Sequence, residues 1–426
     1  MIKQIVQHSA KLVEFIVLLQ LNLSKPQYRH VMNIAEAAIV CEAPHYTLAT
    51  LYDMIVDAPD ASNAADFLRI SPWQVTDLKE PLRNFVVRDL LEQHDGQAIW
   101  VSIDDSLTGK DKGTTCLEVV DWHHDHTKSV GKKQAYTNGT QHIEVRLQSG
   151  NYAYVYDWGL YLREKKVRRL NRKRAAGQRL RFRTKYRIVR AILADLKRRL
   201  PSDIPVNILF DSWYASNKLL KFCRRQGWHV ICAIKSNRTL DGVKLSKWNQ
   251  RLKHQPYTRV NPTATDRRKH PYLVRARQGR LKNVPFAVCV LISKRHRGDK
   301  RPKYFLCTDL SLSPQQILTI YQKRWAIEVD NYYVKQLLGL GDFRVHSFEA
   351  AEKWFAIIFL AYIFLQWRLN HKQPDEDFKV IADVIRQHRQ HHARQVLETA
   401  CEFAVICEEM PRVWQRFVSQ GPPVPA

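Results

Sequence analysis

The chain has 426 residues, 45% of them hydrophobic, and a formal net charge of +27 at pH 7. A chain of this length can form two or three domains with sizeable cores. More than half of the charge lies in residues 162–199, which hold seventeen Lys and Arg residues against Glu164 and Asp195, a net charge of +15. Such a block favours a polyanionic partner, nucleic acid before membrane.

Secretion, disulfide cross-linking and membrane insertion are all disfavoured by the sequence. The eight cysteines form no C-x-x-C pair, which predicts reduced, mostly buried thiols in a cytosolic protein. The N-terminus lacks the basic and apolar regions of a signal peptide. The most apolar run, residues 354–367, is shorter than the roughly 20 residues of a bilayer span, so it predicts a buried helix.

Residues 1–95 are predicted to form an N-terminal helical domain. Apolar residues recur there at three- and four-residue spacing, and prolines separate the segments. Several short helices are typical of a DNA-binding head, and equally of any small helical bundle. The predicted helices are 11–21, 28–41, 46–56, 61–68 and 71–91.

From residue 96 the pattern changes to that of an α/β domain. Residues 98–103 predict a strand that ends in Asp104-Asp105-Ser106, and alternating residues on both sides of a turn at 149–151 predict a hairpin. A basic helix, a short buried strand ending in Asp211, a helix and another strand follow, at 179–200, 205–210, 217–225 and 228–234. This order is expected of a ribonuclease-H-like core, a mixed sheet with flanking helices, and spans residues 96–234.

The remaining segments are predicted to interrupt and then complete this core. Residues 235–310 predict a β-rich insertion, with β-like runs at 272–276, 286–292 and 303–307. Residues 311–370 return to helices as the second part of the core. Residues 371–426 predict a helical C-terminal region with a Pro-rich end, and its run of His, Arg and Gln at 387–395 predicts exposed surface.

One predicted helix, residues 321–337, has a polar stripe. Tyr321, Arg324, Glu328 and Lys335 stand at offsets 0, 3, 7 and 14, which places them on one face. Glu offers hard oxygen to Mg²⁺, and Arg and Lys bind phosphate oxygens. The alternative is an ordinary solvated face with ion pairs. The other sides are expected to pack, through Trp325, Ile327, Val329, Tyr332 and Val334.

Three carboxylates fall at positions suited to catalysis: Asp105, Asp211 and Glu328. Two Mg²⁺ ions held by such carboxylates can activate a water or a 3′-hydroxyl and stabilise the leaving oxygen of a phosphodiester. For a single aspartate at a strand end, a turn or cap residue is the alternative. Three such residues beside a strongly basic segment favour the two-metal hypothesis.

The chain resembles the DDE transposases of bacterial insertion sequences, in the group marked by a Tyr-x2-Arg-x3-Glu-x6-Lys signature. Tyr321, Arg324, Glu328 and Lys335 match this signature in full. The runs 211–216 (DSWYAS) and 103–106 (IDDS) resemble the motifs of the second and first aspartates. The resemblance covers roughly residues 97–370.

This resemblance implies a ribonuclease-H-like catalytic core with Asp105, Asp211 and Glu328 as ligands of two Mg²⁺ ions, which Mn²⁺ can replace. It implies that Tyr321, Arg324 and Lys335 contact the DNA backbone near the scissile phosphate. The neighbouring Asp104 is an alternative first ligand, since strand alternation lets only one of the two aspartates face the site. Asp105 is preferred because the ligand in this group is commonly followed by Ser or Thr.

Further DNA contacts are predicted from the basic segment and the insertion. The basic candidates are Arg179, Arg181, Arg183, Lys185 and Arg187. Trp248 can stack on an extruded base, as insertion-domain tryptophans do in some relatives of this family, although a partly buried structural tryptophan is the alternative.

The expected function is therefore a DNA transposase that cuts at insertion-sequence ends and joins them to target DNA. The alternatives are a two-metal DNA nuclease without strand transfer and a catalytically inactive DNA-binding relative. The expected partners are double-stranded DNA and a second copy of the chain in the active complex, with no membrane. The expected location is the bacterial cytoplasm, in association with the nucleoid.

Overall fold

The N-terminal part of the computed structural model consists of five helices, as the apolar spacing predicts. The structure describes residues 2–130, 133–261, 271–407 and 410–418, so the Pro-rich end at 419–426 lies outside the described residues. Ser9, Thr47 and Asp60 each accept a backbone N–H in the first turn of the helix that follows. The helices are α1 (Ala10–Leu19), α2 (Lys25–Val40), α3 (Leu48–Asp53), α4 (Ala61–Arg69) and α5 (Thr76–Glu92).

The central sheet has the strand order of a ribonuclease-H-like core. Its first strands are β1 (Ile99–Gly109), β2 (Asp121–Val130), β3 (Lys133–Ser149), β4 (Tyr152–Tyr161), β5 (Val206–Phe210) and β6 (His229–Ile234). The order β4-β3-β1-β5-β6 combines an antiparallel β4-β3-β1 part with a parallel β1-β5-β6 part. The predicted fold class is confirmed.

Three helices lie between these strands, and one of them, α7, is shorter than the sequence predicts. They are α6 (Glu164–Asn171), α7 (Lys185–Arg199) and α8 (Asn217–Arg225). The predicted helix at 179–200 begins only at Lys185, where the Thr184 side chain accepts the N–H of Arg187. Residues 179–184 precede this cap, so Arg179, Arg181 and Arg183 do not lie on the helix.

The predicted insertion extends the same sheet. Its elements are β7 (Thr239–Leu240), β8 (Val243–Lys244), α9 (Leu245–Arg251), β9 (Thr258–Val260), β10 (Tyr272–Arg280), β11 (Ala287–Lys294) and β12 (Lys303–Cys307). β12 pairs antiparallel with β6, and β11, β10 and β9 follow in that order. The three β-like runs are therefore strands, and they continue the core sheet instead of forming a separate one.

The last helices join the N-terminal helices to the sheet. They are α10 (Pro314–Gln322), α11 (Trp325–Gln336), α12 (Phe348–Asn370), α13 (Ile381–Cys407) and α14 (Met410–Phe417). α12 is buried along most of its length and packs against α2, α4, α5 and β4. One hydrophobic core therefore runs from the N-terminal helices to the sheet. Within the described residues, no helix combines the length and apolarity needed to cross a membrane.

The stretch 321–337 is not one helix. α10 ends at Gln322 and α11 begins at Trp325, so Arg324 lies at the break. Three apolar residues expected to pack, Trp325, Val329 and Tyr332, are exposed instead. The sequence contains no Pro or Gly at the break, so tertiary contacts override helix propensity here.

A buried ion-pair network connects α5 to the core. Asp157 of β4 is fully buried, and its two oxygens contact Lys79 Nζ at 2.6 Å and Arg83 Nη2 at 2.5 Å. In α7, Asp195 contacts Arg199 Nε at 2.8 Å, and Arg199 also pairs with Glu80 of α5. These charges hold the N-terminal helices against β4 and α7.

Candidate active site

Two aspartates lie side by side where the parallel pairing of β1 with β5 ends. Ile103 pairs with Phe210 in the parallel register, so the next residues are Asp104 and Asp211. Burial raises the pKa of Asp104 to about 7; Arg324 opposes this rise, and Asp105 and Asp211 add to it. Burial also raises the pKa of Asp211, although its Oδ1 accepts two backbone N–H groups of the following turn. Carboxyl groups are thus concentrated where β1 and β5 stop pairing.

Arg324 connects Glu328 to this pair of aspartates. Its Nη1 donates to Asp104 Oδ2 at 2.9 Å, and its Nη2 donates to Glu328 Oε1 at 2.5 Å. The position of Arg324 at the break between α10 and α11 lets the guanidinium reach β1 while Glu328 lies in the first turn of α11. The guanidinium group of Arg324 therefore lies between a carboxylate of β1 and a carboxylate of α11.

Asp105 has a different set of partners. Its Oδ1 accepts the hydroxyl of Tyr214 at 3.0 Å, and its Oδ2 accepts Gln141 Nε2 at 2.5 Å and Lys185 Nζ at 2.7 Å. Successive strand residues face opposite sides of a sheet, which explains why Asp104 and Asp105 have no shared side-chain partner. Lys185, predicted to bind DNA, here balances the charge of Asp105.

Gln141 and Tyr214 were not singled out from the sequence. Tyr214 lies in the 211–216 motif, so the motif carried a signal for it. Gln141 is brought to Asp105 by the pairing of β3 with β1, which places Gln141 opposite Leu107. A non-local register of this kind cannot be predicted from the neighbouring sequence.

The two outer residues of the stripe lie beside this site. Tyr321 packs edge-on against Phe305 with ring centres 4.8 Å apart, and burial raises its pKa to about 12. Its ring centre lies 5.8 Å from the guanidinium carbon of Arg324. Burial lowers the pKa of Lys335, against the attraction of Glu144, which stands opposite Asp104 on β3. Tyr321 therefore lies beside Arg324, whereas Lys335 interacts with Glu144.

The donor set fits a hard divalent cation. Asp104, Asp211 and Glu328 supply carboxylate oxygens, the ligands that Mg²⁺ prefers. Over the part of the chain that the structure describes, their ligand atoms do not all come within 4.8 Å of one another. The positive charge of Arg324 instead balances two of these carboxylates.

Fewer residues of the basic segment lack an acidic partner than its net charge suggests. Several of its basic residues have acidic partners: Arg163 pairs with Asp121, Arg168 with Glu164, and Arg174 with Glu118 and Glu349. The exposed arginines without an ion pair among the described residues include Arg179, Arg181, Arg183 and Arg187. Arg187 also lines a surface cavity with Arg190 and Lys218, next to the loop that follows Asp211. This surface is the best candidate for phosphate contacts.

Replacing Arg179, Arg181 and Arg187 together by Ala is expected to flatten the salt dependence of DNA binding. Each lost phosphate contact lowers the slope of log K against log salt by about 0.9, so three contacts lower it by about 2.7. Fluorescence anisotropy with a DNA duplex at several salt concentrations measures the slope. The matched control replaces Arg295, Arg297 and Arg301, exposed arginines of the β11–β12 loop. Equal slopes for the two triple variants would show that the three arginines of the basic segment face solvent in the DNA complex and do not contact phosphates.

Trp248 is buried, with 8% of its surface exposed. Its Nε1 donates to the carbonyl of Leu240 at 3.3 Å, and the guanidinium carbons of Arg251 and Arg277 lie 5.8 and 5.2 Å from its ring centre. The ring is therefore not free to stack on a base in this conformation. The alternative of a structural tryptophan agrees with these contacts.

Comparisons with known proteins give one match to a family model. Residues 183–364 match the family model described as a transposase DDE domain, a range that contains Asp211 and Glu328. No curated protein gives a significant match to this chain. Among solved structures, a piggyBac transposase synaptic complex with hairpin DNA is similar, with 13% identity and a TM-score of 0.47 over 99% of this chain and 83% of that chain.

The family match falls on the part of the chain that carries β5, α11 and most of α12. DDE transposases normally use divalent metal ions, which agrees with the oxygen ligands found here.

Proposed function

We propose that this chain is a transposase of bacterial insertion sequences that cuts at the ends of its element and joins them to target DNA by two-metal-ion phosphoryl transfer. The observation that carries the proposal is the convergence of Asp104 and Glu328 on Arg324, beside Asp211. The match of residues 183–364 to a transposase DDE domain supports it independently. The full Tyr-Arg-Glu-Lys signature supports the insertion-sequence group.

Asp104, Asp211 and Glu328 are proposed to hold two Mg²⁺ ions, with Mn²⁺ able to replace them. When bound, the ions would activate the attacking oxygen and stabilise the leaving oxygen. The contacts of Asp104 support it as the first carboxylate, because it shares Arg324 with Glu328 whereas Asp105 is bound by Lys185. The sequence-based choice of Asp105 stays a prediction. Substituting each aspartate in turn tests Asp105 against Asp104 as the first ligand.

DNA is proposed to lie across these carboxylates and the exposed arginines before α7. Arg324 presents a planar guanidinium that matches phosphate oxygens, and Tyr321 and Lys335 are proposed to contact the DNA backbone as well. The N-terminal helical domain is proposed to bind the element ends, and a homodimer is proposed to hold two ends together. A cytoplasmic, nucleoid-associated location follows from a DNA substrate.

The test uses the purified chain, linear DNA that carries the element ends, and a supercoiled target plasmid. The transposase proposal expects cleavage at the ends and joined products that require Mg²⁺ or Mn²⁺. Cleavage without joined products would favour a two-metal nuclease. Binding to the ends with neither product would favour an inactive relative.

A further inference from the structure

A second group of ligand-type side chains lies outside the candidate active site, where α13 packs on α2. His388 and His392 of α13 approach the same carboxylate oxygen of Glu36, with Nε2–Oε1 distances of 2.5 and 2.8 Å. Glu36 and His392 are fully buried, and His388 is 8% exposed. The three ligand atoms all lie within 4.8 Å of one another. The sequence-based prediction that residues 387–395 form exposed surface is therefore wrong for both histidines.

The spacing of the two histidines suits a metal site. Residues four apart lie on one face of a helix, so both imidazoles project from α13 towards α2. Zinc is bound in proteins by His nitrogen and carboxylate oxygen at about 2.0–2.2 Å, usually with tetrahedral geometry. Three ligands from two helices of one core supply most of such a shell.

A third histidine supplies independent support. His8 Nδ1 is buried, has no hydrogen-bond partner, and lies 3.3 Å from Glu36 Oε2. The only hydrogen bond that reaches this oxygen among the described residues comes from the backbone N–H of Ser9, at 3.1 Å. A neutral imidazole nitrogen that faces a carboxylate oxygen at this distance needs a proton or a cation between them.

The charge of Glu36 points the same way. Its side chain is fully buried, and the imidazoles of His388, His392 and His8 approach its two oxygens. A buried carboxylate needs compensation for its charge. Neutral imidazoles donate hydrogen bonds without supplying that charge, whereas a divalent cation supplies it.

We propose that Glu36, His388 and His392 bind a divalent transition-metal ion, best suited to Zn²⁺, with His8 next to the other oxygen of Glu36. Imidazole ligands favour Zn²⁺ over Mg²⁺, so this site is chemically distinct from the candidate active site. The ion would fix α13 onto α2. Its role is structural, and it does not depend on the proposed function.

The experiment titrates Co²⁺ and then Zn²⁺ into the metal-free full-length chain. An Asp211→Asn background removes one carboxylate of the other candidate metal site. One equivalent of Co²⁺ is expected to give visible absorption bands of a low-coordinate nitrogen-ligated site, and one equivalent of Zn²⁺ is expected to abolish them. Zn²⁺ is also expected to raise the melting temperature, whereas Mg²⁺ is not.

Matched variants test the ligands. His388→Gln and His392→Gln are expected to lose the cobalt bands and the stabilisation by Zn²⁺. His391→Gln is the control, because His391 is the exposed neighbour on the same helix. Absence of stoichiometric binding by the parent chain, or equal losses in all three variants, would overturn the proposal. If the two ligand variants do not fold, the cobalt spectrum of the parent chain decides alone.

Discussion

Glu328→Gln is expected to abolish metal-dependent DNA cleavage and to leave DNA binding intact. The change keeps the size of the side chain but removes the charge that a metal ion needs, and it also removes an acceptor of Arg324. Residues that act as one unit show large, non-additive losses, so about 10³-fold or more is expected for Glu328→Gln or Asp211→Asn, alone or combined. Cleavage assays and gel shifts on the same end-bearing DNA measure the two properties.

Asp104→Asn and Asp105→Asn separate the two candidates for the first ligand. The contacts with Arg324 predict that Asp104→Asn loses cleavage as completely as Glu328→Gln does. Asp105→Asn is expected to retain cleavage at a reduced level, because its carboxylate balances Lys185. Asp203→Asn, an exposed change before β5, controls for charge removal. Retained cleavage in Asp104→Asn with complete loss in Asp105→Asn would return the role to Asp105.

The order of β1, β3, β4, β5 and β6 along the chain could be predicted because each of these strands carries a local signal. Alternating residues around a Ser-Gly-Asn turn identify β3 and β4, and short apolar runs identify β5 and β6. The continuation of the sheet through β12, β11, β10 and β9 depends on the pairing of β6 with β12, more than 60 residues further along the chain. Neither strand carries a local sequence signal that predicts this pairing.

The site could be predicted in part for a similar reason. Spacing places Arg324 and Glu328 four residues apart, and they are in contact. Arg324 and Asp104 are 220 residues apart in the chain. Their contact accompanies a break between α10 and α11 that local helix propensity does not predict. The run of His, Arg and Gln at 387–395 resembles a solvated surface because its partner, Glu36, lies more than 350 residues away.

Asp157→Ala is expected to cost about 3–5 kcal/mol of the free energy of unfolding, the usual result of removing one partner from a buried ion pair. Asp157 is fully buried, and the side chains of Lys79 and Arg83 that it neutralises are only 13% and 16% exposed. Without Asp157, their charges lose this counter-ion and remain largely inaccessible to water. Urea denaturation of the full chain, followed by intrinsic fluorescence, measures the loss.

The matched control is Asp66→Ala in α4. Asp66 pairs with Arg69 in an exposed i,i+3 contact, for which roughly 0–1 kcal/mol is typical. Because Asp157 joins β4 to α5 while Asp66 joins two residues of one helix, only Asp157→Ala is also expected to increase proteolytic cleavage between α5 and β1. Similar denaturation midpoints for the two variants would mean that the buried network does not hold the N-terminal helices to the sheet, and that the hydrophobic contacts of α12 with α2 and β4 do so alone.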